Sequence, residues 1–350
     1  MSEIAPKKKP QRWKQILTLF TLGALFLLIF FSRDQIVDTF FNFQNIHAWV
    51  LLFMIFWQIL NYHCYAQLYR ELFEMLGNKI KYWPMYKVAI ELNFVNHVFP
   101  SAGVAGFSYF GYRMKQEKVP ASKATLVQMM RFAAVFISFQ ALLAIGVIIL
   151  AIDGKANDFT ILVASSIGTL LVIGTLATMY IAGNKGRIDA FTVTLTKVAN
   201  KIIYSVRPKH PETINIEWIR KLFLDLHDDY VILRKNYKDL KKPMINAFFA
   251  NFTEVATVYM VFLAFGEPVN IGAVILAYAV ANFAGLISVL PGGIGVYEAL
   301  MAGVLATAGV PPSIGIPATI MYRIISMAIQ LPPGYYFYQK AIDKMGSGDS

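Results

Sequence analysis

The sequence predicts an all-α polytopic membrane protein with about six full transmembrane helices and two re-entrant helical hairpins in an inverted-topology repeat. Three observations lead to this fold class. The first is composition: of 350 residues, 57% are hydrophobic and only 15% are charged, and the mean hydropathy is +0.51. These values are too apolar for a soluble protein of this size. The second is a set of long apolar stretches, and the third is a motif that occurs twice.

Six stretches are long and apolar enough to cross about 30 Å of hydrocarbon at about 1.5 Å per residue. They cover residues 14–33, 46–66, 124–151, 160–182, 244–265 and 313–339. The first of them follows a lysine-rich N-terminus, has a long apolar core and is not followed by a small-residue cleavage site. It is therefore predicted to be a signal anchor and not a cleaved signal peptide.

The repeated motif is an apolar run broken by proline and glycine, followed by a proline and then by an arginine within apolar sequence. In the first copy the break covers residues 99–106, and Arg131 lies eleven residues after the next proline. In the second copy the break covers residues 290–298, and Arg323 again lies eleven residues after a proline. Interrupted membrane segments at matching places in two halves indicate a transport site, because unwound backbone and half-helix ends bind polar cargo inside a bilayer. The duplication therefore favours a transporter over an enzyme.

Basic residues predict the topology. Lysine and arginine concentrate in residues 7–14, 70–87, 113–123, 185–242 and 340–344. The positive-inside rule places all five regions in the cytoplasm, together with both termini of a multi-pass protein of the cell membrane. Segment 88–111 lies between two such regions and is too short for two crossings, which predicts a re-entrant hairpin. Segment 271–310 is predicted to form a second hairpin from the opposite face, although residues 271–290 alone are long enough to span the bilayer.

These assignments divide the chain into five regions. They are a basic cytoplasmic N-terminus (1–13), a first membrane half (14–182), a cytoplasmic amphipathic linker (183–243), a second membrane half (244–340) and a flexible C-terminal tail (341–350). Apolar residues in the linker fall on helical stripes, which predicts two amphipathic helices lying on the cytoplasmic leaflet. A solvated linker between the halves is the alternative.

Ionisable residues within the apolar segments are the first candidates for function, because each costs about 2.5 to 3.5 kcal/mol at the centre of a membrane helix. Arg131 and Arg323 are predicted to bind the phosphate of a lipid headgroup, since a planar guanidinium donates two parallel hydrogen bonds. The alternative is that each arginine neutralises a carboxylate and joins two helices. The side chains predicted to form ion pairs or to couple the transport cycle are Glu298, Glu91, His97 and Glu254.

The two breaks supply the other candidates. Glycine permits unusual backbone shapes and close approach of cargo, and a half-helix that begins at such a break carries a partial positive charge at its N-terminus. The break residues predicted to contact the headgroup are Gly292, Gly293, Gly295, Ser101 and Gly103. Tight helix packing is the alternative role of these glycines. The polar side chains predicted to line a hydrated cavity are Asn93, Asn96 and Asn282.

Several classes of function are not supported. The single cysteine, Cys64, excludes an intrachain disulfide, and the histidines lack the spacing of a metal site. Neither a metal nor a cofactor is therefore expected. A net charge of +11 follows from the cytoplasmic regions and does not require a nucleic-acid partner. The chain has no Walker motif, so ATP hydrolysis by it is not expected.

The sequence LPGGIGVYE at residues 290–298, with residues 312–323 after it, resembles the flippase-like transmembrane domain of the lysylphosphatidylglycerol synthase family. The resemblance covers most of residues 14–340. The first break resembles the family less closely, because it has VAG at residues 104–106 where a Gly-Glu pair is expected. The resemblance implies movement of a modified phospholipid or another polar-headed lipid between leaflets. It also implies a stand-alone member that lacks the soluble synthase domain and makes no lysyl-lipid.

The predicted function is that of a lipid flippase or transporter that is not an enzyme and whose partners are membrane lipids with anionic headgroups. One alternative is a membrane-embedded enzyme acting on lipid-linked substrates. The other is a non-transporting partner of a lipid-modifying enzyme, recruited through residues 183–243. The lipid, the coupling ion and the choice between a monomer and a homo-oligomer stay open at the level of sequence.

Overall fold

A computed structural model of the protein describes residues 46–99, 104–154, 158–184, 237–285 and 295–345, with isolated positions between 23 and 41 and at 186, 187 and 190. The predicted basic N-terminus, most of stretch 14–33 and most of linker 183–243 lie outside these residues. The same holds for the last residues of the predicted tail and for four predicted headgroup contacts. Those contacts are Ser101, Gly103, Gly292 and Gly293.

Every regular element within the described ranges is helical, which confirms the predicted all-α class. The α-helices are α1 (Leu52–Met75), α2 (Tyr82–Val98), α3 (Val104–Gln116), α4 (Ala121–Ile152), α5 (Asp158–Ala182), α6 (Lys241–Ala264), α7 (Ile271–Gly285), α8 (Val296–Thr307) and α9 (Pro312–Met345). Short 3-10 turns lead into α1 and α6. Helix α4 begins directly after Pro120 and α9 begins at Pro312, where the missing N–H of proline costs no helical hydrogen bond.

Four helical stretches are long and apolar enough to cross a membrane. They are Ala48–Met75, Ala121–Ile152, Lys238–Ala264 and Pro312–Asp343. They coincide with four of the six predicted crossings. The predicted crossing at 160–182 is helical as α5, whose described apolar stretch is the shorter Gly168–Ala177. These helices make the protein a multi-pass membrane protein.

The order of elements repeats. A long helix, a pair of short helices and a second long helix occur as α1 to α4 and again as α6 to α9. The short helices pack against each other within each pair, α2 against α3 and α7 against α8. They contain 17, 13, 15 and 12 residues, so each is shorter than about 30 Å at 1.5 Å per residue. Asn93 and Asn282 occupy matching places, each eleven residues after the first residue of its helix, Tyr82 or Ile271.

The two helix pairs pack against opposite ends of the same long helices. One core joins the second half of α1, the first half of α4 and the start of α6 to α2 and α3. Another core joins the start of α1, the second half of α4 and most of α6 to α7, α8 and α9. The inverted repeat and the re-entry of both helix pairs into a bilayer stay predictions.

Charge distinguishes the two ends of the bundle. The connections at the α2–α3 end carry lysines, including Lys79, Lys81 and Lys118, and we call this the basic end. The opposite connections carry acidic residues, including Asp153 and Glu267, and we call this the acidic end.

The first helix pair extends further than the predicted hairpin at 88–111. Helix α2 begins at Tyr82 and α3 ends at Gln116, because the charged residues taken as limits, Lys87 and Arg113, lie within the helices. Helices α7 and α8 fall within the predicted segment 271–310.

Glycines let α4 and α7 approach closely near the acidic end. A Cβ atom at Gly272 would overlap the carbonyl oxygen of Gly146 and lie 3.0 Å from Cγ of Leu150. A Cβ atom at Gly146 would lie 2.9 Å from Cγ2 of Ile275. The backbones of α4 and α7 therefore meet where neither carries a side chain, as is common between membrane helices.

Candidate functional site

A cavity of about 240 Å³ lies where the two helix pairs meet in the middle of the bundle. We call it the central cavity. Its lining residues are Asn96 and His97 of α2, Glu254 of α6, Tyr278 and Asn282 of α7, Tyr297 of α8, and Tyr322, Arg323, Ser326, Met327 and Gln330 of α9. Its volume is much larger than the ~30 Å³ share of one water molecule in the liquid, so it has room for a larger polar group.

The ends of three short helices converge on the central cavity. Helix α2 contributes its last turn with Asn96 and His97, α7 contributes Asn282 near its C-terminus, and α8 contributes Tyr297 from its first turn. Helix α9 contributes a stripe of residues spaced about four apart, as one face of a helix requires. The cavity is thus built from the tips of both helix pairs, which approach it from the basic end and the acidic end.

Arg323 lies on the wall of the central cavity and is 8% exposed. Its Nε atom lies 3.4 Å from Oε1 of Glu298, and its guanidinium carbon lies 4.6 Å from the centre of the Tyr297 ring. The ion pair joins α9 to α8. Arg323 therefore has the alternative role that the sequence left open, in which it neutralises a carboxylate and joins two helices. The same guanidinium also faces the cavity, so the structural role and a role in binding are compatible.

Glu298 fixes the tip of the second helix pair as well as pairing with Arg323. Its Oε2 atom accepts a hydrogen bond of 2.6 Å from the backbone N–H of Gly295, which caps the N-terminus of α8. Gly295 has a φ of +86°, a conformation that only glycine adopts readily. The predicted glycine thus has a conformational role where the break ends and the helix begins.

Glu254 faces the central cavity from α6. The hydroxyl of Tyr322 interacts with its carboxylate. Among the residues that the structure describes, no basic side chain lies within salt-bridge distance of Glu254. The cavity therefore contains one arginine that is paired with Glu298 and one carboxylate that has no cationic partner in the described ranges.

Amide side chains connect α1, α2 and α9 beside the cavity. Asn93 donates to the Tyr62 hydroxyl at 2.9 Å and to Oε1 of Gln330 at 3.1 Å, and Gln330 donates to Oε1 of Gln58 at 2.8 Å. His97 Nδ1 lies 2.9 Å from the carbonyl oxygen of Asn93. Because a carbonyl oxygen only accepts, Nδ1 carries a hydrogen. Asn93 thus stabilises the position of Gln330, which lines the central cavity.

Two hydroxyl groups make the central cavity suitable for a polar occupant. The Ser326 Oγ atom is buried and forms no hydrogen bond with another described residue, and the buried Tyr297 hydroxyl has only the Tyr322 hydroxyl beside it, without good hydrogen-bond geometry. Buried polar groups are costly unless they are hydrogen-bonded, so both favour a ligand that offers acceptor oxygens. The side-chain amide of Asn282, which also lines the cavity, donates to the carbonyl oxygen of Tyr278 at 2.9 Å.

Arg131 does not line the central cavity. Its guanidinium carbon lies 4.3 Å from the centre of the Phe132 ring, 5.6 Å from that of Tyr65 and 6.0 Å from that of Tyr69. Its Nε atom is buried and forms no hydrogen bond with another described residue. Cation–π attraction explains how a cation is held among these rings. The two arginines that match in sequence are therefore in different surroundings.

Glu91 also lies outside the central cavity, in a buried ion pair whose partner, Arg113, was not identified from the sequence. Its Oε2 atom accepts hydrogen bonds from Nε of Arg113 at 2.7 Å and from the Tyr109 hydroxyl at 2.9 Å. The sequence analysis assigned Arg113 to the cytoplasmic basic region at residues 113–123. A sequence signal does exist: in a hairpin that turns near residue 102, Glu91 and Arg113 are equally far from the turn and so face each other.

Glu91→Ala is expected to destabilise the protein by about 3 to 5 kcal/mol, because it leaves the largely buried Arg113 without its partner. The double variant Glu91→Leu with Arg113→Met is expected to recover most of that loss. Thermal unfolding in detergent measures both effects, with the exposed Glu117→Ala as control. Equal losses in the single and double variants would show that the ion pair itself is not what the single variant disrupts.

The helices and the four long apolar stretches define an all-α, multi-pass membrane protein with a polar cavity between its helix pairs. Residues 15–334 match the family described as "Lysylphosphatidylglycerol synthase TM region". The chain therefore belongs to this family, as residues 290–298 and 312–323 had indicated.

Its relatives include uncharacterised archaeal membrane proteins. A UPF0104 membrane protein of Methanocaldococcus jannaschii is 21% identical over 336 residues, which cover 94% of this chain and 96% of the relative. A UPF0104 membrane protein of Methanothermobacter thermautotrophicus is 24% identical over 239 residues, or 66% of this chain and 68% of the relative. A further match in that organism is 36% identical but covers only 91 residues, 26% of this chain and 27% of the relative. The match to the Methanocaldococcus jannaschii protein thus spans nearly the whole length of both chains.

Proposed function

We propose that the protein moves a phospholipid, or another lipid with an anionic polar head, between the leaflets of the cell membrane without altering it chemically. The observation that carries the proposal is the central cavity, in which the tips of two oppositely placed helix pairs meet beside Arg323. A polar cavity at the midpoint between the halves of an inverted repeat is the place where transporters bind cargo. Membership of a family named for the transmembrane region of a lipid synthase supports a lipid as the cargo.

Arg323 is the proposed ligand of the lipid phosphate. A phosphate that enters the cavity competes with Glu298 for the guanidinium, whose planar fork binds two phosphate oxygens at once. The hydroxyls of Tyr297 and Ser326 add hydrogen bonds to the remaining oxygens. Glu298 then serves as the group that holds Arg323 in place between one cargo molecule and the next.

The basic and acidic ends support a specific orientation. By the positive-inside rule the basic end lies in the cytoplasm, together with both chain termini. The first helix pair then enters the membrane from the cytoplasm and the second pair enters from outside. Each leaflet accordingly has one helix pair whose tip reaches the central cavity.

Glu254→Gln is expected to raise the affinity for an anionic headgroup about three- to tenfold, which is about 0.7 to 1.4 kcal/mol. The reason is that the change removes an acidic group, whose ionised form repels phosphate, from the cavity that receives the headgroup. This affinity is measured as the binding of a fluorescent anionic lipid to the purified protein. The control is Glu267→Gln, which makes the same change of residue at an exposed position. Weaker binding would show instead that Glu254 contacts a positive part of the headgroup.

The proposed function is tested by translocation of fluorescent lipids in proteoliposomes, with phosphatidylglycerol, phosphatidic acid, phosphatidylethanolamine and phosphatidylcholine compared side by side. Wild-type protein is expected to move at least one of the anionic lipids. Ser326→Phe, which fills the cavity, is expected to lower the rate at least tenfold. The matched control is Ser313→Phe, which makes the same change at an exposed position of α9.

Two outcomes of this experiment favour other functions. If mass spectrometry finds that the purified protein changes the lipid chemically, the protein is an enzyme on lipid substrates. Among the described residues no group of three His, Cys, Asp or Glu side chains is placed to hold a metal ion, so such an enzyme would need another chemistry. If the folded protein moves no lipid under any gradient, recruitment of a partner enzyme through the linker becomes the leading function.

A further inference from the structure

A second cleft lies at the basic end, away from the central cavity, and we call it the basic-end cleft. Its volume is about 190 Å³, and it opens between α2, α3 and the last turns of α9. The lining residues are Pro84, Lys87, Glu91, Arg113, Gln116, Glu117, Phe337, Lys340 and Ala341. Three of these side chains are basic and two are acidic.

The charges that line the basic-end cleft sum to one positive charge, because Glu117 offsets one of the two lysines that remain after Arg113 pairs with Glu91. Glu91 neutralises Arg113 in the buried ion pair, so the base of the cleft is fixed. Lys87 and Lys340 are exposed at its rim, and neither lies within salt-bridge distance of a carboxylate in the described ranges. The two lysines therefore leave positive charge facing the cleft.

Aromatic rings place both lysines at the edge of apolar surface. The Lys87 Nζ atom lies 5.9 Å from the centre of the Phe337 ring, and the Lys340 Nζ atom lies 5.8 Å from that of Tyr336. Tyr336 is 58% exposed, and Trp83, beside Pro84 of the cleft, is 65% exposed. Exposed tryptophan and tyrosine next to lysine are typical of the depth at which lipid headgroups lie.

We propose that the basic-end cleft binds the phosphate group of a phospholipid in the leaflet at the basic end. Lys87 and Lys340 contact the phosphate from the two sides of the cleft, and the Arg113–Glu91 pair forms its floor. Trp83 and Tyr336 lie beside the glycerol and the first carbons of the acyl chains. The site is separate from the central cavity and does not depend on translocation, because it requires only that the protein lie in a membrane.

The test is binding of dioctanoyl phosphatidic acid to purified protein in phosphatidylcholine nanodiscs, followed by native mass spectrometry, which counts bound lipids. The double variant Lys87→Gln with Lys340→Gln is expected to bind one lipid fewer than wild type, with an apparent affinity at least tenfold weaker for that lipid. The matched control is Lys79→Gln with Lys238→Gln, which removes the same charge from exposed lysines outside the cleft. Lys87→Arg with Lys340→Arg keeps the charge and is expected to retain the lipid.

Two results would overturn the proposal. Equal losses in the cleft variant and the control variant would mean that the lipid responds only to the overall positive charge. Retention of the lipid in the cleft variant would mean that the lysines do not hold it. Inorganic phosphate in place of the lipid distinguishes the two sources of the same chemistry, since equally tight binding of free phosphate would remove the lipid from the assignment. The double variant Arg323→Ala with Glu298→Gln changes residues that do not line the basic-end cleft and leaves no unpaired carboxylate, so it is expected to leave the lipid in that cleft.

Discussion

Arg323→Ala is expected to lower lipid translocation at least tenfold, which is the larger of the two functional effects expected for the arginines of the repeated motif. Arg323 lies on the wall of the central cavity, whereas Arg131 lies among aromatic rings outside it. A hydrogen bond to a charged group contributes about 1.5 to 3 kcal/mol, so loss of one or two such bonds to phosphate accounts for at least a tenfold effect. Translocation of the preferred lipid in proteoliposomes measures it.

The control for Arg323→Ala uses Glu298, the carboxylate that forms an ion pair with Arg323. Arg323→Ala leaves a buried carboxylate without its cation, which by itself destabilises a protein. The double variant Arg323→Ala with Glu298→Gln removes that cost and is expected to be folded but still inactive. Glu298→Gln alone keeps Arg323 and is expected to bind the headgroup at least as tightly as wild type. If Arg131→Ala reduced translocation as much as Arg323→Ala, the central cavity would not be the only place where phosphate is bound.

Gly272→Leu is expected to destabilise the protein by about 3 kcal/mol or more, a loss of the size expected for Glu91→Ala. The substituted residue meets the backbone of α4 at Gly146, which cannot move aside as a flexible side chain would. Overpacking usually costs about 1 to 3 kcal/mol, and a clash with backbone belongs at or above the upper end of that range. Thermal unfolding in detergent, with monodispersity on size exclusion as a second measure, reports the loss.

A matched glycine on α8 provides the control. Gly303 is exposed in the middle of its helix, and a Cβ atom there would have no neighbour within 4 Å. Gly303→Leu is expected to be neutral or slightly stabilising, because leucine is a better helix former than glycine by somewhat less than about 1 kcal/mol. Similar melting temperatures for the two variants would show that α4 and α7 are not in close contact at Gly272.

Sequence predicted the fold class and family well, because long apolar stretches and a repeated break are visible without knowledge of neighbours. Four predicted crossings and the two pairs of short helices lie where they were predicted. The second copy of the motif indicated the family, whose match covers residues 15–334. The extent of the first helix pair was not predicted, since amphipathic helix ends carry charge and so resemble loops in a hydropathy reading.

The central cavity was predicted only incompletely. The residues Asn96, Asn282, His97, Glu254 and Arg323 do line it together. Spacing along one helix gives the face on which a side chain lies, but not the helix that covers that face. For this reason the repeated motif predicted the same role for Arg131 and Arg323. In the structure, Tyr65 and Tyr69 of α1 lie against the guanidinium of Arg131 and not against that of Arg323. The predicted headgroup contacts of Arg131 and of the break glycines stay predictions.

Polar contacts between distant regions of the chain were the hardest to predict. The hydrogen bond from Gln330 to Gln58 joins residues 272 positions apart, and no local pattern indicates it. The same is true of Asn251, which donates to the Ser138 hydroxyl at 2.8 Å. Such amide bonds connect helices inside the bundle, where each donor must find an acceptor that only the folded chain provides.

Helix α9 has a mechanical property that follows from its composition. Pro332 and Pro333 stand inside the helix, and proline has no N–H to give to the carbonyl four residues earlier. The carbonyl oxygens of Ala328 and Ile329 therefore lack the usual helical partner, and they lie between Met327 and Gln330, the last residues of the helix that line the central cavity. The weakest point of the longest helix thus falls between the stretch that carries Arg323 and the stretch that carries Lys340. Helix α9 is continuous but is expected to bend most readily at these two prolines, and the stretches on either side of them contact different polar pockets.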